Sequence, residues 1–225
     1  MKVTLNTSMD TPLDREQISA MRRSYGETGL PDVDPDPFVQ FLLWLDEARK
    51  NPYIVEANAM VLSTGGGENL SSRTVLLKDL TADGFSFFTN YESRKASQIA
   101  ESENVALLFP WYAMERQVQI QGVASKVSSE ESDAYFATRP WGSQIGAWAS
   151  DQSRELDSRE VLEARYDEFA ERFPEGSAVP RPPHWGGYIV RPTTIELWQG
   201  RYSRLHDRIR YIASKGAWET IRLFP

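Results

Sequence analysis

Cysteine is absent from the 225 residues. That excludes a disulfide framework, a thiolate zinc site, iron–sulfur ligation and a cysteine nucleophile. Histidine is nearly absent, with only His184 and His206, so no metal centre is expected. There is no excess of positive charge: 32 acidic and 25 basic side chains leave a net −7, which argues against a nucleic-acid partner. Long apolar runs are missing as well. The stretch FVQFLLWL falls far short of a membrane span, and the amino-terminal MKVTLNTSMDTPLD has no apolar h-region of a secretory signal. The expectation is a cytosolic globular protein with no membrane association.

Hydrophobic residues make up 40% of the chain, enough for a core without staples. Residues 1–20 read as a polar, mobile segment, with a short helix possible over 15–25. GETGLPDVDPDP carries three prolines and two glycines and reads as an extended connection. Asp36 before Pro37 has the form of an N-cap with proline at the first helical position. Phe38, Phe41, Leu42 and Leu45 then follow at helical spacing to about Arg49. Strand patterns come next at 57–63, 72–80, 85–90, 105–111 and 117–126, joined by short turns including Gly65–Gly67 and Asp83-Gly84. Helical patterns occupy 92–101, 129–138 and 157–173. After a proline-rich linker at 179–183, strands resume at 187–190, 195–199, 206–212 and 218–223. Consecutive strands with short connections favour a mostly antiparallel sheet over a βαβ fold. The fold class expected is α+β: a single domain over 21–225, built on a β-barrel with flanking helices.

Although the chain is acidic, its cations cluster. In RYSRLHDRIR a period of two places Arg204, His206, Arg208 and Arg210 on one face, with Asp207 on the other. Nothing nearby in sequence neutralises that face. It reads either as a solvated edge strand or as an anion site. Arg73 and Lys78 bracket the strand TVLL, and Arg94-Lys95 open a helix, whose start favours phosphate. No Rossmann or P-loop glycine pattern accompanies them. No Ser–His–Asp triad assembles, because His206 sits among arginines. Trp198 could flank a planar ligand or belong to the core. Gln117, Gln119 and Gln121 alternate along one strand face, suiting solvent or the polar edge of a heterocycle.

At these residues the chain resembles the pyridoxine (pyridoxamine) 5′-phosphate oxidases. The segments MRRSY, EANAM, SRTVLLK, FFTNYESRK, ERQVQIQG, YFATRPWGSQIGAWASDQS, HWGGY, ELWQGRYSRLHDR and RLFP occur in order from Met21 to Pro225. The resemblance implies an FMN-binding split β-barrel homodimer, with FMN at the subunit interface. It also implies oxidation of pyridoxine and pyridoxamine 5′-phosphates to pyridoxal 5′-phosphate. Oxygen is the acceptor, hydrogen peroxide is released, and ammonia leaves when the amine is the substrate.

Carried over by position, the resemblance assigns FMN to Arg73, Thr74, Val75, Leu76, Leu77, Lys78, Phe88, Thr89, Arg94, Lys95, Gln117, Gln152, Ser153, Trp198 and Arg208. Arg94 and Lys95 would meet its phosphate. Lys78, Tyr135, Arg139 and Ser143 would hold the substrate phosphate. Arg204, Leu205 and His206 would face the pyridine ring, with Arg204 and His206 as the catalytic pair. Arg22, Arg23, Ser24 and Tyr25 would form a flap. Thr74 stands where a methionine is common in the family, and the loop SKGAW is short. Two alternatives remain: a phenazine-type flavin oxidase of the same barrel, and a carrier of FMN or pyridoxal phosphate without turnover.

Overall fold

A computed structural model describes residues 15–21, 24–30, 32–65 and 69–225. Of the expected mobile segment, residues 1–14 fall outside that set; Arg15–Ala20 forms helix α1, which stops five residues short of the expected limit at Tyr25. The remaining helices are α2 (Pro37–Lys50), α3 (Arg94–Glu101), α4 (Ser129–Ala137), α5 (Trp141–Ala149) and α6 (Arg159–Arg172). The strands are β1 (Ala59–Thr64), β2 (Ser71–Leu76), β3 (Asp79–Thr81), β4 (Gly84–Asn90), β5 (Asn104–Trp111), β6 (Arg116–Lys126), β7 (Trp185–Gln199), β8 (Asp207–Ser214) and β9 (Ala217–Leu223). All pair antiparallel in one curled sheet of order β2-β1-β5-β6-β7-β4-β3, with β8 on β7 and β9 on β8.

The helix start at Asp36 is as the sequence indicates: its carboxylate accepts the Phe38 N–H at 2.8 Å, with Pro37 in the first turn. The buried face differs in one position. Phe41, Trp44 and Ala48 point into the barrel, while Leu42 is 50% exposed. Phe41 fills the barrel mouth against Phe85, Phe109 and Trp111, at centroid distances of 5.1, 4.9 and 5.9 Å. Helix α5, absent from the sequence reading, packs with α4 and α6 around a smaller core of Phe136, Ile145, Val179 and Trp185.

Two expected strands differ in extent. The run 72–80 is broken at Leu77-Lys78, where the chain turns from β2 into β3. Conversely, 187–190 and 195–199 are halves of one strand, β7. Its first half pairs β4, its second half pairs β8, and β6 runs along both. The halves bend at a register shift between Gln121 and Gly122, opposite Pro192. Proline lacks an N–H for the ladder. Gly122 is needed there, since a Cβ would sit 2.3 Å from the Arg191 carbonyl oxygen. The shift lets one strand serve two partners, β4 on its first half and β8 on its second.

Truncating Phe41 removes a fully buried ring that touches Phe85, Phe109 and Trp111. Phe41→Ala is expected to lower unfolding free energy by about 3–5 kcal/mol, measured by urea denaturation.

Candidate active site

The first cleft, of about 610 Å³, lies between the barrel and helices α4 and α5. Its barrel wall carries Arg73, Thr74, Val75 and Leu76 of β2, Lys78 after it, Phe88 and Thr89 of β4, and Lys95 of α3. The helical wall brings Tyr135, Arg139 and Ser143, and Gln152 closes one end. Residues far apart in sequence therefore meet in one cavity, as the resemblance implied.

The cations here are held by neutral oxygens. The Lys95 ammonium, 8% exposed, donates to Thr89 Oγ1 (3.1 Å), Ser93 Oγ (3.2 Å) and Gln152 Oε1. Burial, then the charge of Arg73, pushes its pKa down to about 8. Arg73 donates to the Leu62 carbonyl (2.9 Å), Thr64 Oγ1 (2.6 Å), Ser71 Oγ and Gln98 Oε1 (3.3 Å). Burial and neighbouring Arg94 hold its pKa below the ordinary value. Arg94 itself, first in α3, is exposed. Ser93, the N-cap of α3, turns its hydroxyl to the Asn90 carbonyl (2.7 Å), leaving the helix start without a side-chain cap.

On the opposite wall, the Arg139 guanidinium lies 4.6 Å over the Trp185 ring, and its buried Nη1 has no hydrogen-bond partner. Burial again lowers its pKa. Trp185 stacks on Phe88 at 5.5 Å, and Phe88 on Tyr135 at 4.0 Å. Trp185 thus supports Arg139 without cancelling its charge. The resemblance had not singled it out as a contact, although HWGGY contains it. Among the described residues, no carboxylate pairs with Arg73, Lys78, Arg94, Lys95 or Arg139.

The other expected residues lie elsewhere on the chain. Leu77 is in the barrel core, its backbone N–H donating to the Asn58 carbonyl (2.8 Å). Ser153 is exposed, with φ +74. Arg22 and Arg23 fall outside the described residues; Ser24 is exposed. Gln117 and Trp198 line two further clefts, one with Tyr25 and the other with Arg208. Tyr25, Trp198 and His206 form an aromatic group, with Trp198–His206 centroids 4.6 Å apart and Tyr25 at 5.7 and 5.5 Å from them. None of these lines the first cleft.

The basic face expected over 204–210 needs two corrections. The strand begins only at Asp207; Ser203 and Arg204 occupy a turn with φ +54 and +62, and Arg204 and Leu205 face solvent. The remaining face is neutralised from across the sheet. Buried Glu196 on β7 pairs with Arg208 (2.7 Å) and Arg210 (2.7 Å). Asp207 does point away, toward Arg201, Arg222 and the Leu30 N–H. The His206 Nδ1 accepts the Arg201 backbone N–H at 3.0 Å. Burial and then Arg204 lower its pKa. Neutral His206 therefore carries its proton on Nε2 and is a hydrogen-bond donor there.

Residues 45–173 match the family described as pyridoxamine 5′-phosphate oxidase, and residues 185–225 match a pyridoxine 5′-phosphate oxidase C-terminal dimerisation region. The chain belongs to the pyridoxine/pyridoxamine 5′-phosphate oxidase family. A relative of that name from Cupriavidus metallidurans is 51% identical over 213 residues, covering 93% of this chain and 99% of its own. Another from Rubrobacter xylanophilus is 52% identical, covering 94% and 98%. Among solved structures, PhzG from Burkholderia lata, in complex with tetrahydrophenazine-1-carboxylic acid, superposes with TM-score 0.82 at 30% identity, covering 89% of this chain and 99% of PhzG. A pyridoxamine 5′-phosphate oxidase-related, FMN-binding protein from Nostoc punctiforme shares the fold, with TM-score 0.67, 15% identity and coverage of 86% and 100%. No helix among the described residues is long and apolar enough to cross a membrane.

Lys95 allows a sign test. Its pKa is lower folded than unfolded, so between pH 8 and 10.5 the unfolded chain binds more protons and this group adds stability as pH rises. In ligand-free protein, Lys95→Met is expected to raise stability at pH 7.5 and to narrow its advantage over wild type by pH 9.5. Urea denaturation at both values measures the difference.

Proposed function

We propose that this chain is an FMN-dependent oxidase. It converts pyridoxine 5′-phosphate and pyridoxamine 5′-phosphate to pyridoxal 5′-phosphate, with oxygen as acceptor and hydrogen peroxide released, and ammonia lost from the amine. One observation carries the reading: buried Lys95 and partly buried Arg73 and Arg139 line a cleft where, among the described residues, no carboxylate pairs with them, and the buried Arg139 Nη1 has no hydrogen-bond partner. Such a site is complete only with anionic ligands. The residues present fit a phosphorylated flavin and a phosphorylated substrate.

In this reading Arg73, Arg94 and Lys95 take the cofactor phosphate beside the uncapped start of α3. Thr74, Val75, Leu76, Phe88, Thr89 and Gln152 line its path. Lys78, Tyr135, Arg139 and Ser143 hold the substrate phosphate. FMN, when bound, would supply the two-electron redox chemistry, with oxygen as the final acceptor. The protein orients and shields. Arg204 orients the substrate ring and stabilises developing charge through its guanidinium donors. His206 offers its Nε2–H as a donor, because its Nδ1 lone pair is taken by the Arg201 N–H.

Gln117, Trp198, Arg204, His206 and Arg208 are absent from the first cleft, and four of them lie in the segment matching a dimerisation region. This supports a homodimer in which a second copy brings them to the cleft. PhzG similarity keeps a phenazine-type oxidase as the second reading; the relatives at 51% and 52% identity favour the first.

Anaerobic pyridoxine 5′-phosphate is expected to bleach the flavin of FMN-loaded protein, with colour returning in air. A spectrum that stays oxidised would sink the reading. Arg204→Ala should cut turnover by about a hundredfold while keeping flavin bound; unchanged turnover would remove Arg204 from the mechanism. Arg139→Ala should raise KM by about tenfold with kcat little changed, the pattern for lost binding of a nonreacting group.

A further inference from the structure

Gln98 lies on α3 three residues after Lys95 and is 1% exposed. Its Oε1 accepts from Thr64 Oγ1 (2.7 Å), Ser71 Oγ (2.7 Å) and Arg73 Nη2 (3.3 Å). Its Nε2 donates to the Asn69 carbonyl at 2.6 Å. A backbone carbonyl only accepts, so the amide's orientation follows from chemistry. The two hydroxyls act as relays: each accepts from Arg73 and donates to Gln98. With the Leu62 carbonyl, this network occupies both Nη groups of Arg73 using neutral oxygens alone.

We infer that Gln98 is the positioning residue of the cofactor-phosphate subsite, holding Arg73 in place while leaving its charge uncancelled. The inference rests on the flavin reading above. Gln98 lies outside every ligand-contact set named there and acts through Arg73. A glutamate has nearly the same shape and would accept from the same three donors, but like a methionine it could not donate to the Asn69 carbonyl. It would also cancel the Arg73 charge in a buried setting where charges interact strongly. A methionine would leave two hydroxyls and the Arg73 fork short of an acceptor. The position therefore requires an acceptor that is both strong and neutral.

The test compares FMN with riboflavin, which carries the same ring system without the phosphate. Flavin-free, full-length wild type, Gln98→Glu and Gln98→Met are titrated with each ligand by fluorescence quenching, and folding is checked by circular dichroism. Gln98→Glu is expected to raise the FMN Kd roughly tenfold or more, with riboflavin unchanged. Gln98→Met should shift the same ratio in the same direction by less. An FMN-to-riboflavin preference unchanged in the folded variants, or equal weakening of both ligands, would overturn the assignment and leave the flavin reading standing. Should Gln98→Glu fail to fold, the ratio for Gln98→Met decides. A wild type with no preference for FMN would overturn both.

Discussion

Positive charge buried without a carboxylate is what the rest of this structure is arranged around. Removing an ammonium or guanidinium from water is costly, and an opposite charge is the usual remedy. Here Arg73 and Lys95 receive carbonyl, hydroxyl and amide oxygens instead, and Arg139 receives an aromatic face. Neutral acceptors satisfy geometry but leave the field intact, so the cleft stays attractive to anions in a chain whose net charge is −7. The depressed Lys95 pKa is the same fact seen from the proton's side. Stability is given up locally at neutral pH, and a ligand anion returns it.

The cations of the carboxy-terminal strands are treated in the opposite way. Glu196 spans Arg208 and Arg210, and Asp207 spans Arg201 and Arg222. These arginines keep direction but lose most of their field. If they meet a ligand, they do so as oriented donors to neutral or weakly charged atoms rather than as phosphate binders. The chain thus sorts one residue type into two functions by the charge of its partners, a distinction that counting arginines would miss.

Much of this was legible in the sequence, and the exceptions have physical causes. The Asp36–Pro37 start of α2 is a local interaction, readable from adjacent residues. The Glu196 pairs are not: they span 12 and 14 positions and exist only because β7 and β8 align Glu196 opposite Arg210. A period of two put Arg204 on a strand that begins only three residues later. Pro192 made β7 read as two strands, since the irregularity beside it, with Thr193 unpaired between Thr194 and Pro192, is absorbed within one continuous strand. Helix α5 contains two glycines in WGSQIGAWA and is held by packing against α6 rather than by propensity. For the site, the motif resemblance identified most of the lining of the first cleft. That Tyr25, Gln117, Trp198 and Arg208 line other clefts of the same chain, while Arg204 and Leu205 face solvent, is a matter of three-dimensional placement, which no spacing along the chain reveals.

The turn that presents Arg204 shows how those other clefts are kept in shape. Two consecutive residues, Ser203 and Arg204, sit in left-handed backbone without being glycine, a conformation that persists only when its surroundings impose it. The constraint comes from the other end of the chain. The Tyr202 N–H donates to the Gly26 carbonyl at 3.1 Å, the Gly26 N–H donates to Glu115 at 3.0 Å, and the Leu30 N–H reaches Asp207 at 3.0 Å. Residues 26–30 are therefore strapped beside the start of β8 by one backbone–backbone bond and by two backbone N–H groups donating to the carboxylates of Glu115 and Asp207. Tyr25, at the end of the strap, is placed against Trp198 and His206 as a consequence. Arg204 is left projecting from a rigid, strained turn into solvent, an arrangement that makes physical sense for a side chain whose proposed ligand lies on another surface.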